Sequence, residues 1–443
     1  MTKQTEEKPA GVPQEAIQAG EIRARWAWVE PSVWTDRMLA ALGNGVKGGV
    51  WFSLIDKVYA LRNLRAAFAK VKANDGAAGV DHQTIAMYER TLAENLTKLS
   101  EQLREGQYQP QGIRRCWIDK VGSKEKRPLG IPTVQDRVVQ AAMRHALEPI
   151  FERDFAEQSY GFRPNRGCKD ALKRVDELLK AGYVQVVDAD LKSYYDSIPH
   201  EPLMKRIEEK MADGHVLDLI RAYLSQRVIE EMKEWTPEGG TPQGAVLSPL
   251  LSNIYLDPLD QRMARVGFQM VRYADDFVIL CQSREEAQDA LKQVQQWVEE
   301  AELTLHPMKT RIVDATQEGF DFLGYHFERG QRWPREKSLQ KFRDTIREKT
   351  QRCNGQSLSQ IIADVNRTTK GWFEYFKHSH RRTFVWQDGW IRMRLRSILR
   401  KRQRRPGQGR GYDHKRWPNS FFSMQGLFTM TIAHVSLCQS AQR

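Results

Sequence analysis

The chain has 443 residues, 40% of them hydrophobic, which suits two or three packed units and a sizeable core. No stretch approaches the ~20 consecutive apolar residues of a membrane span, and the polar start MTKQTEEKPAGVPQ has neither the basic opening nor the apolar centre of a secretory leader, so a cytoplasmic location is expected. The net charge of +13 suits a polyanionic partner, although charge alone fits an ordinary basic enzyme equally well. Cys116, Cys168, Cys281, Cys353 and Cys438 form no CxxC pair and are odd in number, which argues against a disulfide framework and against a Cys-rich zinc module.

Residues 1–30 read as a disordered tail, rich in charge, Pro and Gly. From Val33 to about Lys72 the pattern is mostly helical, with Leu64, Phe68 and Val71 on one face. Residues 74–81 form a turn cluster, and Asn95 to Arg104 is a helix closed by Gly106. Arg114 to Lys120 is short and extended. Gln135 to Phe155 is helical. Val184 to Asp190 is β-branched and alternates, which predicts a strand. His200 to Gln226 reads as one helix. Val271 to Leu280 reads as two apolar strands joined by a polar tip. Arg284 to Glu302 is an amphipathic helix, and Phe320 to Phe327 a single short strand. After about Gly330 strand signals fade, and basic helices with aromatics take over.

The chemistry-bearing candidates are carboxylates. Asp190 ends one strand, and Asp275 and Asp276 sit at the tip of the proposed hairpin. Strands of one sheet bring such positions side by side. Clustered carboxylates repel each other unless a cation joins them. Mg²⁺ suits that role, because it takes one or two carboxylates and fills its shell with water and phosphate oxygens. Two such ions about 3.5–4 Å apart activate an attacking hydroxyl and stabilise a leaving pyrophosphate. Taken alone, Asp-Asp in a turn is also ordinary, since Asp tolerates turn conformations.

The segments VDADLKSYYDSIPH (187–200), GTPQGAVLSPLLSNIYLDPLD (240–260) and RYADDFVIL (272–280) resemble three successive reverse transcriptase signatures, in that family's order. KRPLGIPTVQDRVVQAAM (126–143) and SYGFRPNRGC (159–168) resemble its finger motifs, and LTLHPMKTRIV (303–313) and GFDFLGYHF (319–327) its later palm blocks. The likeness is strongest to group II intron proteins of the compact bacterial type without an endonuclease domain. It implies an α+β right-hand polymerase: N-terminal extension and fingers over 31–180, palm with an antiparallel sheet over 181–330, and a basic helical thumb or maturase domain over 331–443.

The resemblance also implies roles. Asp190, Asp275 and Asp276 become the catalytic, metal-binding carboxylates, with two Mg²⁺ ions or Mn²⁺ in their place. Tyr195 falls where a ring packs under the incoming sugar and clashes with a 2′-hydroxyl; many relatives carry Phe there. Gln243 and Gly244 match the loop beside the nascent base pair, where Gly lets backbone approach the nucleotide. Ala245 stands where relatives often have Gly. Lys120 and Arg127 match residues that grip the triphosphate, which needs cations. Arg115 and Lys126 read better as a solvated basic loop. Lys309 matches a lysine that protonates the leaving pyrophosphate, and Phe322 to Tyr325 the segment that holds the primer end.

Beyond the palm, eight cations crowd one helical run: Arg392, Arg394, Arg396, Arg400, Lys401, Arg402, Arg404 and Arg405. Ile391, Leu395, Ile398 and Leu399 give that run a packing face, and the cations face nucleic acid. The implied partners are group II intron RNA, an RNA template with DNA or RNA primer, deoxynucleoside triphosphates and a DNA target, in a bacterial cytoplasm near the nucleoid. With no endonuclease module, insertion would use a primer supplied by other means. Two alternatives stay open: a host-adopted reverse transcriptase in defence or repair, and an RNA-binding splicing factor with a vestigial polymerase site.

Overall fold

The computed structural model describes residues 24–46, 49–119, 126–231, 233–353, 355–405, 407–409 and 411–440. At its centre is a four-stranded antiparallel sheet of β3 (Gln185–Asp190), β6 (Gln269–Tyr273), β7 (Asp276–Cys281) and β8 (Arg311–Asp314), in the order β6-β7-β3-β8. Side chains along a strand alternate between faces, and both faces are covered here. Phe277, Ile279, Val187 and Ala189 join the large core with helices Ser248–Val266 and Arg284–Glu300. Val278, Leu280 and Val186 join a second core with helix Cys168–Lys180 and the aromatics of a small sheet. That sheet is β9 (Phe320–Phe322), β10 (Tyr325–Glu328) and β11 (Gln331–Pro334), in the order β11-β10-β9.

A second sheet, β2 (Lys126–Ile131), β1 (Ile113–Asp119), β4 (Val228–Glu230) and β5 (Lys233–Trp235), stands to one side, with β1 and β4 parallel. After β2 comes helix Val134–Glu152, which packs in the large core against helices Leu61–Ala73, Ile55–Tyr59 and Ser248–Val266. Thr133 starts it: its hydroxyl accepts from Asp136 N (3.1 Å) and donates to the Asp136 carboxylate (2.8 Å), satisfying an end donor that the helix itself leaves free. Beyond β11, helices Glu336–Lys349, Leu358–Phe376, Arg381–Arg402 and Met430–Ser440 close around their own core, with Phe342, Ile346, Val365, Phe384 and Leu395 at its centre. Asp388 pins the last of these, accepting from Met430 N (3.1 Å) and Thr431 N (2.9 Å).

Three expectations change. The 200–226 stretch is two helices, His200–Glu208 and Gly214–Leu224. Asp213 interrupts it, because its carboxylate caps the second helix at Val216 N (3.2 Å) and also accepts from Leu54 N (2.6 Å) and Ile55 N (2.9 Å). Residues 320–327 are a hairpin, not one strand: Leu323 (φ 47) and Gly324 (φ 84) turn the chain in two left-handed steps. Strand structure also continues past Gly330 into β11. The five cysteines are all free thiols. Among the described residues no helix is long and apolar enough to cross a membrane.

His145 gives the fold a pH dependence of known sign. Its Nδ1 donates to Asn63 Oδ1 (2.7 Å), which leaves Nε2 as a buried acceptor with no hydrogen-bond partner among the described residues. Burial first, then Lys70 and Arg144, push the imidazole from 6.5 down to about 4, with Glu30 opposing. Below pH 6.5 the unfolded chain takes up the proton first, so the contribution of neutral His145 is lost as pH falls toward 4. The stability gap between wild type and His145→Gln, read from urea denaturation, should narrow by about 2 kcal/mol from pH 7 to pH 5. A constant gap would contradict this.

Candidate active site

The central register brings the carboxylates together. Asp190 on β3 lies directly opposite Asp276 on β7, and opposed antiparallel residues hold their Cβ atoms about 4.5–5.5 Å apart. Tyr273 pairs with Asp276 to close the β6–β7 hairpin, so Ala274 and Asp275 form a two-residue turn. Ala274 takes φ 59 there, a conformation more usual for Gly in such turns. Burial first, then the charges of Asp275, Asp188 and Asp190, push the Asp276 carboxyl up to about 7. Asp275 is raised as well, by burial and then by Asp190, while Arg127 and Arg272 oppose.

Opposite them comes a cation. The end of β3 is extended by Lys192 N donating to Thr304 O (2.8 Å) and His306 N donating to Asp190 O (2.7 Å). This docking carries Lys309 to the site, where its ammonium donates to the Asp190 carboxylate. Behind, Asp188 pairs across the sheet with Arg311, their side chains 3.5 Å apart. Burial raises the Asp188 carboxyl to about 6 against the pull of Arg311. Asp188 was not among the candidates; its signal is position, two residues before Asp190 on the same strand face.

The donor chemistry fits a divalent ion. Three carboxylates supply hard oxygens, their repulsion is relieved by a cation, and Asp190 already holds a positive group. Among the described residues no three acidic, His or Cys side chains close around one point as they stand. Asp190 would therefore exchange the Lys309 ammonium for the ion.

A cavity of about 500 Å³ lies against Tyr195 and is lined by Arg115, Gly130, Trp235 and Gln243 among others; the three aspartates are not in its lining. Tyr195 sits in the short helix Tyr194–Ser197, and burial raises its phenol to about 12. Its carbonyl accepts from Thr241 N (2.6 Å), tying the 240–244 loop to the palm. Gly130 N donates to Gln243 O (2.6 Å), tying the same loop to the fingers sheet. Arg127 lies exposed on β2, and its charge reaches both Asp275 and Tyr195. Lys120 lies outside the described residues. Arg115 faces the cavity with its guanidinium 5.0 Å from the Trp235 ring centroid, so it is more than the solvated loop residue suggested by its neighbours.

The basic run divides. Arg396 is buried, donating to Trp417 O (2.9 Å) and Asn419 Oδ1 (2.8 Å), so it leaves the set of surface cations. Arg394 donates to Thr350 Oγ1 (2.6 Å), and Arg400 to the Asp413 carboxylate (2.8 Å). Arg392 is half-buried. Lys401, Arg402, Arg404 and Arg405 are exposed at the end of the helix. The reason is the helix period: a cation at every second or third position falls on the packed face as often as on the free one.

A palm sheet carrying three carboxylates, with a fingers sheet at its side and helices beyond, is a right-hand polymerase. The family model for reverse transcriptase (RNA-dependent DNA polymerase) matches residues 118–327, and that for the group II intron maturase-specific domain matches residues 339–417. Protein YkfC of Escherichia coli (strain K12) is 34% identical over 290 residues, 57% of this chain and 76% of that one. The group II intron-encoded protein LtrA of Lactococcus lactis subsp. cremoris is 40% identical over 179 residues, 40% of this chain and 30% of LtrA. A chain of the partial Cas6-RT-Cas1--Cas2 complex is 27% identical with a TM-score of 0.37, covering 56% of this chain and 41% of that one. The chain belongs to the group II intron reverse transcriptase/maturase family.

Gly244 offers a local test. It has φ 106, and a Cβ there would lie 2.6 Å from Gly130 O. Gly244→Ala should destabilise by about 1–3 kcal/mol beyond the cost of the left-handed conformation alone, read from a denaturation curve. Gly182, at φ 92 with nothing within 4 Å, should cost about 1 kcal/mol on the same change. Equal costs would show that the close approach to Gly130 does not matter.

Proposed function

We propose that this chain copies RNA into DNA and binds group II intron RNA to assist splicing and mobility. The observation that carries the reading is the register that sets Asp190 opposite Asp276, with Asp275 at the adjoining turn. Enzymes of this family use divalent ions; here the reading is two Mg²⁺, with Mn²⁺ able to substitute. When bound, such ions supply the Lewis acidity that activates a primer 3′-hydroxyl and stabilises the leaving pyrophosphate. Asp190, Asp275 and Asp276 would hold them.

The remaining roles belong to the chain's own groups. Arg127, together with Lys120, grips the triphosphate of a deoxynucleotide. The Tyr195 ring closes the floor under the sugar and leaves no room for a 2′-hydroxyl. Gln243 and Gly244 position the nascent base pair by backbone approach. Lys309, once released from Asp190, gives a proton to the leaving pyrophosphate. The helical region beyond β11 holds the template–primer duplex and the intron RNA, with Lys401, Arg402, Arg404 and Arg405 on phosphates. A DNA target completes the set of partners, and the nucleoid-associated cytoplasm is where these partners meet.

Primer extension on an RNA template with deoxynucleotides and Mg²⁺ tests the reading. Asp275→Ala should lower the rate by at least about 10³-fold while the protein stays folded. A folded, RNA-binding wild type that extends no primer would favour the splicing-factor alternative. Separately, replacing Lys401, Arg402, Arg404 and Arg405 together by Ala should weaken binding to structured RNA and reduce the slope of log affinity against log salt by about 3. An unchanged slope would remove these four from the interface.

A further inference from the structure

The two-residue turn that bears Asp275 is not self-supporting. Ala274 has a Cβ yet holds a left-handed conformation, so something outside the turn must fix it. The neighbouring side chain does so from inside the protein. Arg272, on β6, is 1% exposed. Its Nε donates to Asp260 Oδ1 (2.8 Å), and Nη2 to Asp260 Oδ2 (2.5 Å) and Ser159 Oγ (2.8 Å). Its Nη1 donates to Asn253 Oδ1 (3.0 Å) and to Ala274 O (2.8 Å). All five N–H groups of the guanidinium are thereby used.

These partners come from three separate pieces of chain. Asn253 and Asp260 are seven apart on helix Ser248–Val266, and so share a face. Ser159 belongs to the loop that runs beside β6, where Tyr160 N donates to Arg272 O (2.8 Å) and Arg272 N to Gln158 O (2.9 Å). Asn253 also donates to Gly161 O (2.8 Å). Gly161 is pressed so closely on the turn that a Cβ there would lie 2.3 Å from Ala274 N. Helix, loop and turn therefore meet at one guanidinium, and the buried Asp260 carboxylate balances its charge.

We propose that Arg272 is the positioning residue of the catalytic turn, fixing Ala274 and with it the placement of Asp275 and Asp276, on which uptake of a divalent ion depends. The proposal rests on the polymerase reading above. Only a planar, five-donor fork reaches all four partners; a Lys keeps the charge but has three donors from one atom.

The test uses the full-length chain. Arg272→Lys should fold, by thermal melting, and keep its deoxynucleotide KM within about twofold, while kcat falls at least about tenfold. Mn²⁺ binding, followed by electron paramagnetic resonance with Asp275→Ala as the zero, should weaken by about tenfold. A folded Arg272→Lys protein with kcat and Mn²⁺ affinity within about twofold of wild type would overturn the proposal. If Arg272→Lys does not fold, Arg272→Met with Asp260→Leu removes both buried charges at once and carries the same expectations. Failure of both to fold would assign Arg272 to the fold alone, which also overturns a positioning role. The Mn²⁺ arm is independent of turnover: a wild type that binds Mn²⁺ through Asp275 but extends no primer would sink the polymerase reading and leave the Arg272 comparison readable.

Discussion

The structure depends on the register between β3 and β7. A slip of one residue in either strand would send every side chain to the opposite face. Both faces forbid it. Phe277 and Ile279 are committed to one core, and Val278 and Leu280 to the other. The same packing that buries these apolar groups sets Asp190 against Asp276 and accepts their repulsion. Burial first, and then the charges of Asp275, Asp188 and Asp190, push the Asp276 carboxyl up. A site that stores unfavourable charge in this way is poised for a cation, and the stability that holds it comes from the covered sheet.

A second constraint couples the fingers to the palm. The 240–244 loop hydrogen-bonds to Tyr195 on one side and to Gly130 on the other. Gly240 and Gly244 both have positive φ and both lie within 3 Å of neighbouring backbone for any added Cβ. The loop can approach this closely only because side chains are missing. The cavity against Tyr195 is thus walled by backbone as much as by side chains, which gives it a fixed shape.

Much of this was legible in the sequence, for stated reasons. The strand ending at Asp190 and the hairpin carrying Asp275 and Asp276 announce themselves by β-branched alternation around a polar tip. The matched segments then brought the three aspartates, Tyr195 and Gln243 to one region. Other features were not legible. The hairpin at Leu323–Gly324 reads as a continuous apolar strand, because Leu is an unusual residue for a left-handed turn. The break at Asp213 depends on Leu54 and Ile55, donors 159 and 158 residues away. The basic run looked like one surface, yet the partners of Arg396 and Arg400 follow them on a segment whose path no local pattern sets. Arg272 drew no notice beside Asp275, although its environment is the most fully satisfied of the site.

Lys309 links the fold to the chemistry. It occupies Asp190 through an ion pair whose Lys side chain remains 60% exposed, so it is free to leave at small cost. The carboxylates of β3 and the β6–β7 turn would together hold divalent ions, with Lys309 displaced. The direct measurement is an anomalous-scattering map from crystals of the protein with template, primer and Mn²⁺. Peaks bridging Asp190 and Asp275, with the Lys309 ammonium moved off Asp190, are the predicted result. Mn²⁺ bound elsewhere, with the Lys309–Asp190 pair intact, would contradict it.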